Sequence, residues 1–176
     1  IFLDTIYGKS YELAAILGLH SLRRSEIMDV TYNDIDLDNN VIHVRGAAVV
    51  DEHGKLVHKK ENKNASSTRD VPIMIPRLKE LVEAGGDGYI VAINANNVYR
   101  GINRACEKNN LPLVGVHGLR HSFVSLAYHL GWSEIATMRV AGYSDFQTMR
   151  KIYTHLAEQD KTKSVNSMKD FYTLAK

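Results

Sequence analysis

Three groups of side chains in the last third of the chain have the types and spacing needed for phosphoryl transfer. Transfer without a metal needs fixed positive charge on the non-bridging phosphate oxygens, a proton acceptor and donor, and an attacking oxygen in line. The three groups supply a cation, proton carriers and an oxygen nucleophile, and an arginine pair stands far upstream. The segments are His117-Gly-Leu-Arg120-His121, Gly142-Tyr143-Ser144, Tyr153-Thr-His155 and, upstream, Leu22-Arg23-Arg24-Ser25-Glu26.

Read together, these motifs resemble those of the tyrosine recombinase family, the phage and transposon integrases. Arg23 three residues before Glu26, the His117-x-x-Arg120 pair and Tyr153 follow one another in the family's order. Each motif alone is weak, but their order, separation and local context argue against chance. The resemblance covers nearly the whole chain. It implies one catalytic domain over residues 1–176, with a mainly helical α+β fold and a small three-stranded antiparallel sheet.

The resemblance also implies a role for each matching side chain. Arg23 and Arg120 would bind the non-bridging oxygens of the scissile phosphate, since a planar guanidinium stays charged and binds phosphate through two hydrogen bonds. His117 would accept the nucleophile's proton or hydrogen-bond the phosphate. Tyr153 would attack phosphorus and form a covalent 3′-phosphotyrosine with a free 5′-hydroxyl, so that rejoining needs no ATP. Glu26 is expected to orient a helix or an arginine, or to have a structural role only.

The family's catalytic lysine is harder to assign. In relatives it lies in the loop between the second and third strands and protonates the leaving 5′-oxygen, ahead of an arginine and a Val-Pro-like strand. Lys63 fits this position best, because Arg69 and Val71-Pro72 follow it. Lys59 and Lys60 remain competitors.

Tyr143 departs from the family's pattern. Relatives usually have His at this position and sometimes Trp. A phenol can donate a hydrogen bond to a phosphate oxygen, but it cannot act as a cationic imidazole. Tyr143 is therefore expected to support the reaction, and it is also a rival to Tyr153 as the nucleophile.

Composition restricts the class of protein. The chain has 176 residues, 44% of them hydrophobic, and one cysteine, Cys106, so it can bury a core without a disulfide framework and suits a reducing cytoplasm. No apolar run approaches the roughly 20 residues of a membrane span. The first residue, Ile1, suggests an excised domain that lacks the helical core-binding domain of relatives. His117 and His121 have metal-ligand spacing without a completing Cys or carboxylate, so we expect no metal and no cofactor.

The net charge of +2 is only mildly basic, so a DNA-binding surface must come from local clustering. A helix predicted from about Asn96 to Asn109 has Val98, Ile102 and Cys106 on one face and a basic stripe on the other. The stripe is expected to lie along a DNA backbone, although such charges are more often a solvated helix face. The predicted DNA-binding residues are Arg24, Arg100, Arg104 and Lys108.

Other patterns predict the remaining elements. A helix precedes the arginine motif, and Ser25 with Glu26 is expected to cap a second one. Strands are predicted at Val41 to Val44 and Thr68 to Val71, with turns at residues 38–40 and 52–54. Pro76 is expected to open a helix that ends at Gly85-Gly86. A loop from Gly115 to Leu119 is expected to lead into a helix that runs to about Leu130 and is closed by Gly131. Ser133 is expected to cap the next helix, which Gly142 closes. Ser144 and Gln147 predict a capping box for a helix that holds Tyr153 near its end, and a short amphipathic helix is predicted after residue 164.

The resemblance further implies double-stranded DNA as the partner, with self-association into a tetramer on it. The tail, residues 157–176, would dock on its own domain or on a neighbouring protomer. Two alternatives stay open. One is a helix-turn-helix DNA-binding regulator without catalysis, formed by residues 133–153, which leaves Arg23, His117 and Arg120 unexplained. The other is an enzyme like type IB topoisomerases, which relaxes supercoils as a monomer.

Overall fold

The structure is a computed structural model that describes residues 1–53, 55–59 and 68–174. In this part of the chain, eight α-helices surround two small antiparallel sheets. The helices are α1 Phe2–Ile6, α2 Glu12–Leu19, α3 Arg24–Ile27, α4 Pro76–Glu83, α5 Ala95–Lys108, α6 Gly115–His129, α7 Glu134–Ala141 and α8 Phe146–Leu174. The strands are β1 Ile35–Asp36, β2 Val41–Val44, β3 Ala47–Val50, β4 Leu56–Lys59 and β5 Arg69–Pro72.

The predicted three-stranded antiparallel sheet is present, in the order β1-β2-β5. Ile35 pairs with Ile42, which pairs with Val71, so the apolar side chains of all three strands face the core together. Strands β3 and β4 form a separate hairpin, in which Ala48 pairs with His58. The sequence predicts the turn of this hairpin but not its two strands. The alternation of buried and exposed side chains along this hairpin is weak, since Val50, Leu56 and Val57 are all exposed.

The main core forms around helix α2. Ile16 and Leu17 are fully buried there, and each buried aliphatic side chain of this size contributes about 1.5–3 kcal/mol to folding. Helices α2 and α6 pack closely because Gly18 has no side chain. A Cβ at this glycine would lie 3.3 Å from the Cβ of Leu119. This contact places the start of α6 directly against the segment that follows α2.

A second, smaller core lies between α6, α7 and α8. Its fully or nearly buried members are Phe123, Val124, Ala141, Met149 and Tyr153. The predicted amphipathic helix is α5, which buries Val98, Ile102 and Cys106. Pro76 opens α4, and Ser133 and Gly142 cap α7 as expected. No helix among the described residues is long and apolar enough to cross a membrane.

Four predictions at helix ends were wrong. The segment from Gly115 to Leu119 is the first part of α6 and not a loop, because Gly115 adopts φ +54° and lets the helix begin there. Asp145, and not Ser144, caps α8, since its carboxylate accepts hydrogen bonds from the backbone of Gln147 and Thr148 at 2.8 and 3.1 Å.

The third error concerns the length of α8. The sequence predicts Tyr153 near a helix end and a separate short helix after residue 164, but α8 continues without a break to Leu174. Charged and polar residues such as Glu158 and Lys161 are compatible with a solvated helix, so the polar stretch does not mark a loop. The fourth error concerns the cap of α3. This helix starts after Arg23 and is capped by the side chain of Glu26 and not by that of Ser25.

Candidate active site

A buried carboxylate organises the centre of the site. Glu26, 1% exposed, accepts hydrogen bonds from the backbone N–H of Arg23 at 2.7 Å and from its Nη1 at 2.6 Å. Arg23 is the N-cap of α3, so the capping bond and the ion pair hold the same residue. Its Nη2 donates to the carbonyl of Gly142, at the end of α7. Arg23 therefore spans from α3 to the turn that precedes Tyr143.

Arg69, the first residue of β5, binds the same carboxylate through its fork. Nη1 donates to Oε1 of Glu26 and Nη2 to Oε2, each at 3.0 Å, while Nε donates to the carbonyl of Val140 at 2.8 Å. Its side chain is 6% exposed. Burial raises the pKa of Glu26, but the hydrogen bonds and charges of Arg69 and Arg23 outweigh burial and lower this pKa below its usual range. Glu26 is therefore a charged carboxylate at neutral pH.

Arg120 approaches from α6 and is 2% exposed. Its Nη1 donates to the carbonyl of Ser21, and its Cζ lies 4.5 Å from the centre of the Tyr143 ring. Burial, followed by the charge of Arg23, lowers the pKa of Arg120 to about 10, so the group stays protonated at neutral pH. We call Arg23, Glu26, Arg69 and Arg120 the arginine centre. Arg23 and Arg120 meet at Gly142 and Tyr143, although 97 positions separate them in the chain.

Ser21 and Gly142 give the centre its backbone shape. Ser21 has φ +70°, a left-handed conformation that side chains rarely adopt, and this turn directs its carbonyl at Arg120. Gly142 has φ +67°, and a Cβ there would lie 2.8 Å from three atoms of the Arg69 guanidinium. Both turns therefore bring backbone carbonyls against arginines.

The two histidines of the α6 motif lie in its first two turns, and both are exposed. The rings of His117 and His121 meet edge to face, with centroids 4.5 Å apart. Partial burial and the charges of His117 and Arg120 lower the pKa of His121. The imidazole of His117 is thus accessible and lies three residues before Arg120 on the same helix.

Tyr143 joins the arginine centre to the second core. Its ring faces Arg120 and packs against the cluster that contains Tyr153. Its hydroxyl is buried and has no hydrogen-bond partner within the described residues. A buried hydroxyl without a partner costs about 1–3 kcal/mol, so this group is suited to an incoming acceptor.

Tyr153 is 7% exposed and lies inside the second core. Its hydroxyl is 2.6 Å from Oγ1 of Thr137 and 3.4 Å from the carbonyl of Trp132, and its ring meets the edge of Tyr128 at 5.2 Å. In the described part of the chain it has no hydrogen bond to Arg23 or Arg120. The sequence identifies this tyrosine by its motif, but the structure holds its hydroxyl against α7.

The remaining predicted residues are the lysine candidates and the DNA-binding residues. Lys63 and Lys60 lie outside the described residues, and Lys59 ends β4 with an exposed side chain. All four predicted DNA-binding residues are exposed. Arg24 lines a groove with the β3–β4 hairpin and the start of α5. Arg104 and Lys108 line a different groove, beside Tyr7 and Tyr11.

Comparison with known proteins decides the family. The model of the phage integrase family matches residues 4–160. The chain belongs to this family. A XerC-like tyrosine recombinase of Caldanaerobacter subterraneus subsp. tengcongensis is 24% identical over 93% of the chain and 51% of the relative. The tyrosine recombinase XerA of Saccharolobus solfataricus is 28% identical over 79% of the chain and 43% of the relative. The chain thus spans about half the length of these curated relatives.

Solved structures of integrases show the same fold. The Tn1549 transposon integrase in complex with circular intermediate DNA has a TM-score of 0.70 and 21% identity, covering 92% of this chain and 63% of that one. The crystal structure of XerA recombinase has a TM-score of 0.68 and 18% identity, covering 93% and 60%. The mainly helical integrase fold with a small antiparallel sheet is therefore confirmed.

Sequence reasoning missed two residues that contact the candidate site, Arg69 and Thr137. The sequence-based prediction uses Arg69 only as the arginine that follows the catalytic lysine. Alternation along β5, however, places Arg69 on the same buried face as Val71. A charge at an inward position needs a buried partner, and that signal was available. Thr137 carried no comparable signal, because one threonine on a short helix does not reveal its contact with Tyr153.

Proposed function

We propose that this chain is the catalytic domain of a site-specific DNA recombinase or integrase, which cuts and rejoins DNA without a metal through a 3′-phosphotyrosine intermediate. The convergence of Arg23 and Arg120 at Gly142 and Tyr143 carries the proposal, because two fixed cations at one turn form a receptor for a phosphodiester. Membership of the phage integrase family supports it.

In this mechanism Arg23 and Arg120 bind the two non-bridging oxygens, and Tyr143 donates its free hydroxyl to one of them. The hydroxyl oxygen of Tyr153 forms a bond to phosphorus as its proton passes to His117. The bond from phosphorus to the 5′-oxygen breaks, and that oxygen takes up a proton from Lys63. The reverse sequence with a new 5′-hydroxyl rejoins the strand. Each step exchanges one phosphate ester bond for another, so no external energy source is needed.

Tyr153 must leave Thr137 before it can attack. The contact between α7 and α8 is therefore expected to change when DNA binds, with α8 moving its tyrosine toward the arginine centre. The α8 segment from residue 157 onward is the proposed docking element, on its own domain or on a neighbouring protomer of a DNA-bound tetramer. The cytoplasm is the proposed site of action.

A capture experiment with randomised DNA tests this function and does not require a defined target site. The chain is incubated with nicked duplexes whose sequence is randomised on both sides of the nick, in the presence of EDTA. Attack at a phosphate near the nick releases a short fragment, so the covalent adduct cannot be resealed. An adduct that survives denaturing electrophoresis supports the proposal. Tyr153→Phe should form none, while Tyr143→Phe should still form it, and an adduct with the Tyr153 variant would refute the assignment.

The same experiment separates the alternatives. A helix-turn-helix regulator would shift the duplexes in a native gel without any adduct, and it would leave the arginine centre without a role. A topoisomerase-like enzyme would form the adduct and relax supercoiled plasmid without exchanging strands. Strand exchange between two captured duplexes is the outcome expected of a recombinase.

Contact with the DNA backbone by Arg24, Arg100, Arg104 and Lys108 is part of the proposal. Each phosphate contact that is lost should reduce the slope of the logarithm of the binding constant against the logarithm of the salt concentration by about 1, equally for all DNA sequences. Single alanine variants would be compared over a salt titration by fluorescence anisotropy. Because Arg24 and Arg104 line different grooves, an effect of one without the other would identify which surface faces the duplex.

A further inference from the structure

We propose that Arg69 is a positioning residue of the recombination reaction, which acts through Glu26 and the end of α7 to fix both Arg23 and Tyr143. The inference rests on the proposed function. Arg69 is buried and its three donor nitrogens are occupied by Glu26 and Val140. It therefore acts on a bound phosphate through its neighbours.

The first effect is electrostatic. Glu26 has two arginine partners, so Arg69 and Arg23 share the compensation of its negative charge, and the Nη2 of Arg23 binds Gly142 and not the carboxylate. Without Arg69, the buried carboxylate would have Arg23 as its remaining strong partner in the arginine centre. Arg23, which already binds Glu26, would then compensate the charge of this carboxylate without Arg69. Three arginines against one carboxylate leave the centre positive, as phosphate binding requires.

The second effect is geometric. Arg69 binds the carbonyl of Val140, and its guanidinium fills the space over Gly142 where a side chain would otherwise lie. The next residue is Tyr143, whose ring faces Arg120. One side chain thus fixes the turn that presents Tyr143 on one side and the carboxylate that orients Arg23 on the other. A lysine could supply the charge but not the fork that makes three directed hydrogen bonds.

A purely structural ion pair is the competing explanation, and the chain contains one for comparison. Arg77 of α4 binds the buried carboxylate of Glu12 in α2 at 2.9 Å, and Glu12 is 4% exposed. This pair has no contact with the arginine centre among its described hydrogen bonds. Removing either arginine takes one arginine partner from a buried carboxylate, so the Arg77→Met variant is a matched control for Arg69→Met.

The test measures single-turnover adduct formation at saturating DNA, DNA affinity and thermal stability, below the melting temperature of each variant. The DNA is the nicked duplex most enriched in the random-sequence capture. Arg69→Met should lower the rate by about 100-fold, as expected when reacting groups are misplaced, while DNA affinity changes only a few-fold. Arg77→Met should lose stability but keep the rate. Arg69→Lys should recover part of the rate, and it replaces the methionine variant if that variant does not fold.

A second readout is the pH dependence of the rate. In Arg69→Met, Arg69 no longer opposes the effect of burial on the pKa of Glu26, so Glu26 takes up a proton at higher pH. The acid limb of the rate profile therefore moves to higher pH. Arg69→Lys should keep the limb nearer that of the wild type. An unchanged rate and profile in folded Arg69→Met, or equal slowing in Arg77→Met, would overturn the positioning role. Absence of any adduct with the wild-type chain would instead reject the proposed function itself.

Discussion

The hydroxyl of Tyr153 lies 2.6 Å from the side-chain oxygen of Thr137. Thr137 is itself fixed, because its hydroxyl donates to the carbonyl of Ser133 one turn earlier in α7. Either hydroxyl can donate in this short hydrogen bond, and the phenol also lies 3.4 Å from the carbonyl of Trp132. The hydroxyl of the candidate nucleophile is therefore held against α7, while Arg23 and Arg120 meet at Gly142 and Tyr143.

Removing this hydrogen bond should speed the reaction. Thr137→Val keeps the volume of the side chain but has no acceptor, so the bound position of Tyr153 loses about 1 kcal/mol relative to the released one. We expect covalent capture to become about 5-fold faster. The measurement is single-turnover capture of the nicked duplex. Thr148→Val, which removes a different threonine hydrogen bond, to Asp145 at the exposed start of α8, is the control. A slower or unchanged rate in Thr137→Val would contradict this role.

The contact between Gly142 and Arg69 should be measurable as a difference in the stability lost when two glycines are replaced by alanine. Gly131 and Gly142 both have left-handed φ values and both follow helices, but a Cβ at Gly131 would meet open space. Gly131→Ala should therefore cost only the conformational penalty, roughly 1–2 kcal/mol. Gly142→Ala should cost about 1–3 kcal/mol more, because it also displaces the guanidinium of Arg69. Urea unfolding of both variants checks this, and equal losses would disprove the packing contact.

Stability should fall in mild acid because of His20. This fully buried ring donates from Nδ1 to the carbonyl of Ile16, and its Nε2 accepts from the backbone N–H groups of Met74 and Ile75. A second proton would face those donors, and burial lowers the pKa of His20. The unfolded chain thus binds this proton more readily. The stability that the neutral His20 ring contributes is therefore fully present above about pH 6.5 and is lost progressively below it.

The check is urea unfolding between pH 5 and 7.5. His20→Gln retains an acceptor but has no titrating group, so it should lose less stability than the wild type over this range. His53→Gln, at an exposed site, should behave as the wild type. Equal pH dependence in His20→Gln and the wild type would show that His20 does not carry the effect.

Much of the fold was predictable because local signals agreed with tertiary packing. The every-fourth-residue pattern of Val98, Ile102 and Cys106 defined α5, and Ser133 and Gly142 marked the ends of α7. The errors arose where one signal had two physical meanings. Gly115 can break a helix or start one with positive φ, and a polar stretch after Tyr153 can be a loop or a solvated helix.

The site could be predicted as a set of residues but not as an arrangement. The spacing of His117 and Arg120 places them on one helix, and a family resemblance joins them to Arg23 and Tyr153. The partners that hold these groups come from distant segments: Ser21 for Arg120, Arg69 for Glu26, and Thr137 for Tyr153. Such contacts depend on how α2, β5 and α7 pack, which short-range patterns do not encode.

The central claim is that Tyr153, and not Tyr143, becomes joined to DNA. Trypsin separates the two residues, because cleavage after Arg139, Arg150, Lys151 and Lys161 gives peptides 140–150 and 152–161, each with a single tyrosine. The captured adduct would be digested with nuclease and trypsin and analysed by mass spectrometry. A nucleotide attached to Tyr153 in peptide 152–161 is the predicted result, and attachment to Tyr143 in peptide 140–150 would contradict the account.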